Sequence, residues 1–169
     1  SVWYGGPADS FIAAKKEGLL EPYKSKNAEG IAANFKDPDG YWTGIYQGYL
    51  GFILDNRFFE ERKLALPKSW NDLLKPELKG QIIVANPGSA GTAYTVLSTL
   101  VQLKGEQEAL KYMGQLHKQI KQYTKAGEAP ARSAALGEAA VGITFIHNGI
   151  RLIKEGYSNL KLSVPEDGT

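Results

Sequence analysis

The sequence predicts an α/β fold, a mostly parallel sheet with helices on both faces, and three observations carry that expectation. From residue 81 onward, short β-branched runs alternate with helix-length segments, beginning with Ile82-Ile83-Val84 and the long helical pattern after it. Strands separated by helices of that length pair in parallel and are covered on both sides. Glycine- and proline-bearing loops stand at the joints, among them Asn86-Pro87-Gly88, Lys125-Ala126-Gly127 and Glu166-Asp167-Gly168. Composition agrees: 43% hydrophobic and 22% charged residues in 169 suit one globular α/β domain or slightly more.

The elements follow in order. Residues 2–4 read as a short buried strand before Gly5-Gly6-Pro7. A helix starts at Pro7-Ala8-Asp9-Ser10 and closes at Gly18, because glycine accepts the left-handed conformation past a helix end. Residues 19–35 connect, with a weak helix near 28–33, and Lys36-Asp37-Pro38-Asp39-Gly40 is a turn. Residues 41–56 (YWTGIYQGYLGFILDN) are aromatic and β-branched without a helical period, and predict one or two strands. Helices are expected over 57–63 and 69–78, the second with Ser69 as N-cap and Asp72 three residues on, a loose capping box. Then come strand 81–85, helices 89–104 and 106–118, strand 120–124, helix 129–136, strand 140–145, helix 148–155 and strand 160–164. The chain opens inside one expected strand and stops just after another, with no leader, so it reads as a piece of a larger protein.

Several function classes drop out. A net charge of +2 is too small to argue for nucleic acid, and the aromatic stretch 41–52 lacks the basic flanks of a stacking platform. No apolar run is long enough to span a bilayer. With no cysteine there is neither a disulfide frame nor a thiolate metal site, which fits a bacterial extracytoplasmic protein. Two histidines, His117 and His147, do not make a multi-histidine zinc site, and neither a metal nor a cofactor is expected. GxSxG, HExxH and Cys/His pairings are missing, so the chain is read as a binding protein rather than an enzyme.

Four places carry candidate chemistry. Ser89-Ala90-Gly91-Thr92 opens a helix directly after a strand, where unpaired N–H groups and the helix dipole favour an anion. The alternative is a helix start capped by Ser or Thr with no ligand, and the residues alone leave both open. Thr144 to Asn148 ends a strand, where ligands of open α/β sheets collect. His147 and Asn148 offer a switchable donor and an amide there, or else a surface residue and an N-cap. Glu166-Asp167 before Gly168 suits ligand hydroxyls or a cation, or a solvated turn. The loop at Gly127 says nothing about ligands by itself.

Taken together, VWYGGPADSFIAAKKEGLLEPY, GYWTGIYQGYLGFILDN, SWNDLLKPELKGQIIVANPGSAGTAY, KAGEAPARSAALGEAAVGITFIHN and VPEDGT resemble the ferric-iron and phosphorylated-solute branch of bacterial ABC-transporter solute-binding proteins. The resemblance runs through essentially the whole chain, and the SWNDLLKPELKG run is its most specific part. It implies a type II periplasmic-binding-protein-like lobe with a remnant of the other lobe. Residues 1–50 would be that remnant with a crossover strand, 51–164 the second lobe, and 165–169 the start of the return crossover.

The resemblance also implies a function. Such a protein lies in the periplasm or otherwise outside the cytoplasm, in some cases as a membrane-anchored lipoprotein. It captures a small anionic solute between its lobes and passes it to a permease and its ATPase. An anion would be held at Ser89, Ala90, Gly91 and Thr92, with Gly127 and Thr144 facing the same cleft, and Gly6 falling where first-lobe ferric binders carry an acid. The tyrosine pair of ferric binders would fall on Ile146-His147, which suits iron poorly, since Fe(III) takes charged oxygen donors. His147, Asn148 and Glu166 look instead like readers of a sugar phosphate, another organic phosphate or a phosphonate. A ferric-ion binder with a synergistic anion is the alternative, and a small phosphoesterase a remote one. An uncovered crossover surface would favour self-association of the truncated piece.

Overall fold

A computed structural model describes residues 1–169 and divides them into two units, Ser1–Gln47 and Gly48–Thr169. In the first, helix α1 (Ala8–Lys16) begins after Pro7, whose extended backbone suits the residue before a helix, and ends at Gly18 with φ +67. The expected strand at 2–4 is not formed. Val2, Trp3 and Tyr4 are exposed, and no segment pairs with their backbone, without which a strand has nothing to hold it. Trp3 lies on Phe11 at 4.4 Å. Instead of a weak helix over 28–33, two 3₁₀ turns form at Lys26–Ala28 and Ala33–Phe35, with Gly30 between them. The turn at 36–40 is present: Asp37 accepts the N–H groups of Asp39 and Tyr41, both at 3.1 Å, and pairs with Lys15 at 2.8 Å.

The second unit is built on one five-stranded sheet. Its strands are β1 (Leu50–Asp55), β2 (Ile82–Ala85), β3 (Ile120–Thr124), β4 (Val141–Phe145) and β5 (Leu160–Ser163), in the order β3-β2-β4-β1-β5. β2 pairs in parallel with β3 and β4, while β1 runs against both β4 and β5. Four strands therefore point one way, as expected, and β1 is inserted against them between β4 and β5. Leu50, at the start of β1, lies opposite Phe145 at the end of β4. The entry of β1 thus shares an edge with the exits of the other strands. Of residues 41–56 only 50–55 is a strand of the sheet, entirely buried, because those are the residues with a partner strand: β4 beside 50–54 and β5 beside 52–55.

Five helices cover the sheet: α2 (Asn56–Arg62), α3 (Gly91–Lys104), α4 (Glu106–His117), α5 (Ala129–Ala135) and α6 (Ile146–Lys154). Side chains alternate across each strand, which splits the apolar residues into two cores. On one face Phe52, Leu54, Val84 and Ile143 meet Val96 and Leu100 of α3 and Tyr112 and Leu116 of α4. On the other, Ile53 and Leu160 meet the alanines of α5 and Leu152 of α6. That second layer is thin because glycines let the backbones touch. A Cβ on Gly142 would overlap the Pro130 carbonyl, and one on Gly149 would overlap Leu162 and Ile53.

Residues 69–78 do not form the expected helix. Pro76 holds Lys75 extended (φ −60, ψ 136) and splits the segment into 3₁₀ turns at Asn71–Leu74 and Pro76–Leu78. The capping box survives. Asp72 accepts the N–H groups of Lys68 at 2.9 Å and Ser69 at 3.1 Å, and Ser69 Oγ accepts that of Asp72 at 3.2 Å. Inside this turn Trp70 is fully buried, edge-on to Phe52 at 5.3 Å, with its carbonyl taken by the Tyr112 hydroxyl. Residues 165–169 fold back over it. Asp167 accepts the Trp70 N–H at 3.2 Å, the Gly168 carbonyl accepts Trp70 Nε1–H at 2.9 Å, and the Thr169 hydroxyl donates to the Leu50 carbonyl at 2.7 Å.

Two outcomes follow from this packing. Gly142→Ala forces strand β4 and helix α5 apart and is expected to lower stability by about 1–3 kcal/mol in urea denaturation. The Lys75 ammonium, 2.6 Å away, and then the Lys68 N–H hold the Asp72 carboxyl down at about 2. A depressed folded value stabilises the fold above the unfolded carboxyl value of about 4, and that contribution is lost as pH falls towards 2. Denaturation of Asp72→Asn and the parent at pH 6, 4 and 2 should show a stability gap that closes on acidification. A gap independent of pH would contradict it.

Candidate functional site

The strand ends at one edge of the sheet carry the polar residues that the sequence singled out. β2 leaves the core at Ala85, and Asn86 turns the chain. Its side-chain oxygen accepts the Gly88 N–H at 2.8 Å, and its carbonyl accepts those of Ser89 and Ala90, each at 3.0 Å. This is the local turn that asparagine makes with its own backbone. Helix α3 then starts at Gly91 with Ala90 as N-cap, and no side chain caps it. The Ala93 and Tyr94 N–H groups reach the Ala90 carbonyl at 3.1 Å, which leaves those of Gly91 and Thr92 without an acceptor. The alternative of a side-chain cap is thereby set aside. The expected cradle over 89–92 narrows to two amides, since those of Ser89 and Ala90 are already bonded. Ser89 gives its hydroxyl hydrogen to a carbonyl, with Lys125 at 3.1 Å and Asn86 at 3.3 Å.

Gly127, after β3, comes up directly against Thr92: a Cβ on Gly127 would overlap the Thr92 hydroxyl. Thr144, fully buried at the end of β4, donates to the Gly127 carbonyl at 2.7 Å and accepts Asn148 Nδ2–H at 3.0 Å. Thr92, Gly127, Thr144 and Asn148 therefore form one continuous group drawn from three strand ends. Asn148 is not an N-cap, because β4 runs straight into α6 and Phe145 occupies that position. With its amide nitrogen committed to Thr144, its side-chain oxygen has no partner in the chain. His147 is exposed, stacked on Phe145 at 5.4 Å and 19°, and its ring closes on Gly48. Ile146 points the other way, into the core under α6 and against Gly51, so its side chain is no ligand for anything at this edge.

Two further expected residues are placed as follows. Glu166 is exposed, its N–H bonds the Lys68 carbonyl at 2.7 Å, and its carboxylate lies 3.6 Å from Lys68 Nζ. Gly6 belongs to the unit Ser1–Gln47 and takes a left-handed conformation (φ +104) beside Phe11. No group of three or more His, Asp or Glu side chains converges to hold a metal ion. At the opposite edge of the sheet a groove of about 470 Å³ is lined by Asp55, Arg57, Arg62 and Gly137. Asp55 there is buried, receives Arg57 Nε–H and Nη2–H at 2.9 Å and Asn159 Nδ2–H at 3.0 Å, and caps α2. Its charge is matched from within the fold.

Sequence reasoning missed two residues at the site edge. Asn86 builds the turn, and Asn-Pro-Gly after a strand was signal enough to find it. Thr124 donates its hydroxyl to the Ala126 carbonyl at 3.0 Å, and nothing in its local pattern separates it from any other strand threonine.

The chain is 43% identical to the periplasmic binding protein AfuA of Actinobacillus pleuropneumoniae, solved with exogenous fructose-6-phosphate bound. The TM-score is 0.92, over 99% of this chain and 54% of that one. The periplasmic binding protein P5PA is 32% identical with a TM-score of 0.82, covering 90% of this chain and 49% of the other. The Fe(3+)-binding periplasmic protein of Serratia marcescens is 24% identical over 147 residues, 82% of this chain and 42% of its own length. The chain thus spans about half the length of the proteins it matches. The family model for bacterial extracellular solute-binding proteins matches residues 8–169, and the chain belongs to that family.

Proposed function

We propose that the protein carrying this chain captures a small organic phosphate, a sugar phosphate or a close relative, outside the cytoplasm and delivers it to an ABC importer's permease and ATPase. The observation that carries this reading is the pair of unpartnered N–H groups of Gly91 and Thr92 at the start of the 14-residue helix α3. Two aligned amides and the positive end of a helix dipole stabilise a phosphate oxygen without a lysine or arginine. Linked to Thr92 through Gly127 and Thr144, the unpaired Asn148 oxygen accepts from a hydroxyl, and the His147 ring, free of hydrogen bonds in the chain, donates or accepts. A phosphate at one end and hydroxyls at the other is the chemistry of a sugar phosphate. Likeness at 43% identity to a protein solved with fructose-6-phosphate supports the same class.

Ferric iron fits the residues less well. The positions where the family resemblance puts two phenolates hold Ile146, turned into the core, and His147. A neutral imidazole is a weak replacement for charged oxygen on Fe(III). Transport in this reading needs no reaction at the solute. Binding favours whichever conformation touches the solute most fully, and that population shift is what the importer would recognise.

Calorimetry on the full-length protein should show saturable binding of fructose-6-phosphate and little or none of fructose. Thr92→Pro removes one of the two amides at a first-turn position that tolerates proline, and is expected to weaken binding about 10- to 100-fold, the worth of one charge-assisted hydrogen bond. Absence of binding to any phosphate ester, or a coloured chelator-sensitive complex with Fe(III), would overturn the reading.

A further inference from the structure

The backbone pairing of β1 with β4 continues past the strands themselves. Leu50 lies opposite Phe145, and the Tyr49 carbonyl accepts the Ile146 N–H at 2.9 Å, so the same register sets Gly48 opposite His147. Residues so placed hold their Cβ atoms about 4.5–5.5 Å apart, and a glycine leaves that space to its neighbour. The His147 imidazole takes it. A Cβ on Gly48 would stand 3.0 Å from Phe145 Cδ1, 3.1 Å from His147 Cε1 and 3.2 Å from His147 Nδ1. Gly48 does not have a positive φ, so its backbone suits any residue, and it is the two rings that stand against a side chain there. The imidazole is also stacked on Phe145, with ring centres 5.4 Å apart and planes at 19°. Phe145 is itself half-buried against the core of the α3–α4 face, which makes it a fixed support. Neither contact is a hydrogen bond, so the ring is held while its two nitrogens stay open to a guest.

We propose that Gly48 and Phe145 are positioning residues for His147. The bare glycine gives the imidazole room, the phenyl ring fixes its plane, and the ring meets the solute already oriented. The inference rests on the organic-phosphate reading above, in which His147 addresses a hydroxyl of the solute, and deepens it by naming what sets that group's geometry. An imidazole with free torsions would have to be ordered on binding, and that ordering subtracts from affinity. Packed against a backbone and a phenyl ring, His147 has lost that freedom beforehand. Its neighbour Asn148 is oriented by a hydrogen bond to Thr144, and His147 by packing alone.

The test is a double-mutant cycle on the full-length protein, read as affinity for fructose-6-phosphate. His147→Ala should weaken binding about tenfold, the worth of one hydrogen bond to the solute. Gly48→Ala should weaken it about 3- to 10-fold, the cost of ordering one side chain on binding. In the His147→Ala background the same Gly48→Ala should cost less than about twofold, because the group it misplaces is gone. Phe145→Leu, which removes the stacked ring and keeps an apolar residue against the core, should behave alike and serves where Gly48→Ala fails to fold. The imidazole proton signals of His147, displaced in the parent by the ring current of Phe145, should move in both variants before any solute is added. A loss that persists undiminished without His147, imidazole signals that stay in place, or a His147→Ala protein that binds as tightly as the parent overturns the inference and leaves the solute reading standing. No binding by the parent overturns the solute reading, and this inference with it.

Discussion

Two backbone N–H groups, those of Gly91 and Thr92, have no acceptor in the chain, while the amides just before them at Gly88, Ser89 and Ala90 are all bonded. Every helix start leaves such donors, and the proposed solute site rests on these two. The rest of the second unit positions them. Three parallel strands, β2, β3 and β4, end at one edge and set the loops at 86–90 and 125–128 and the start of α6 side by side. Thr144 and Ser89 then tie those loops to one another by hydrogen bonds. The loops of this edge are thus bonded across elements and not only along the chain.

Below the edge the fold is held by contrasting means on its two faces. One face buries large side chains, with Trp70 clasped between Phe52, Tyr112 and the carboxylate of Asp167, which is 97 positions away in sequence. The other uses small residues, so that α5 lies almost on the backbone of β4 at Gly142. The thin layer fixes the start of α5, and with it the loop ending at Glu128. Chain return through 165–169 adds a second long-range clasp by way of Thr169 and Leu50, where β1 enters the same edge. β1 is therefore both the reversed strand of the sheet and a wall of the site, since Gly48 just before it closes on His147.

Much of this was legible residue by residue. The alternation from Ile82 to Ser163 predicted every strand and helix of that stretch, because short apolar or β-branched runs alternate there with segments of helix length. The α3 start was legible because a small-residue loop after an apolar strand has few other uses. What escaped depends on partners distant in sequence. Residues 2–4 have strand composition but no neighbour to pair with. Helical pattern over 69–78 gave way to Pro76, and the direction of β1 is set by β4 and β5, which lie far along the chain. At the site, the carboxylate pair Glu166-Asp167 is split: Asp167 holds the Trp70 turn, while Glu166 stays exposed near Lys68. No local pattern distinguishes a carboxylate that caps a remote turn from one that meets a solute.

The account stands on where the solute's negative charge rests. Amide proton and nitrogen chemical shifts of the isotope-labelled full-length protein, followed during titration with fructose-6-phosphate, report on that directly. A phosphate seated at the start of α3 moves the Gly91 and Thr92 amide protons downfield, saturating with the ligand. If those two signals stay in place while signals elsewhere shift, for example around Arg57 and Arg62 at the opposite edge, the anion lies somewhere else and the account is wrong.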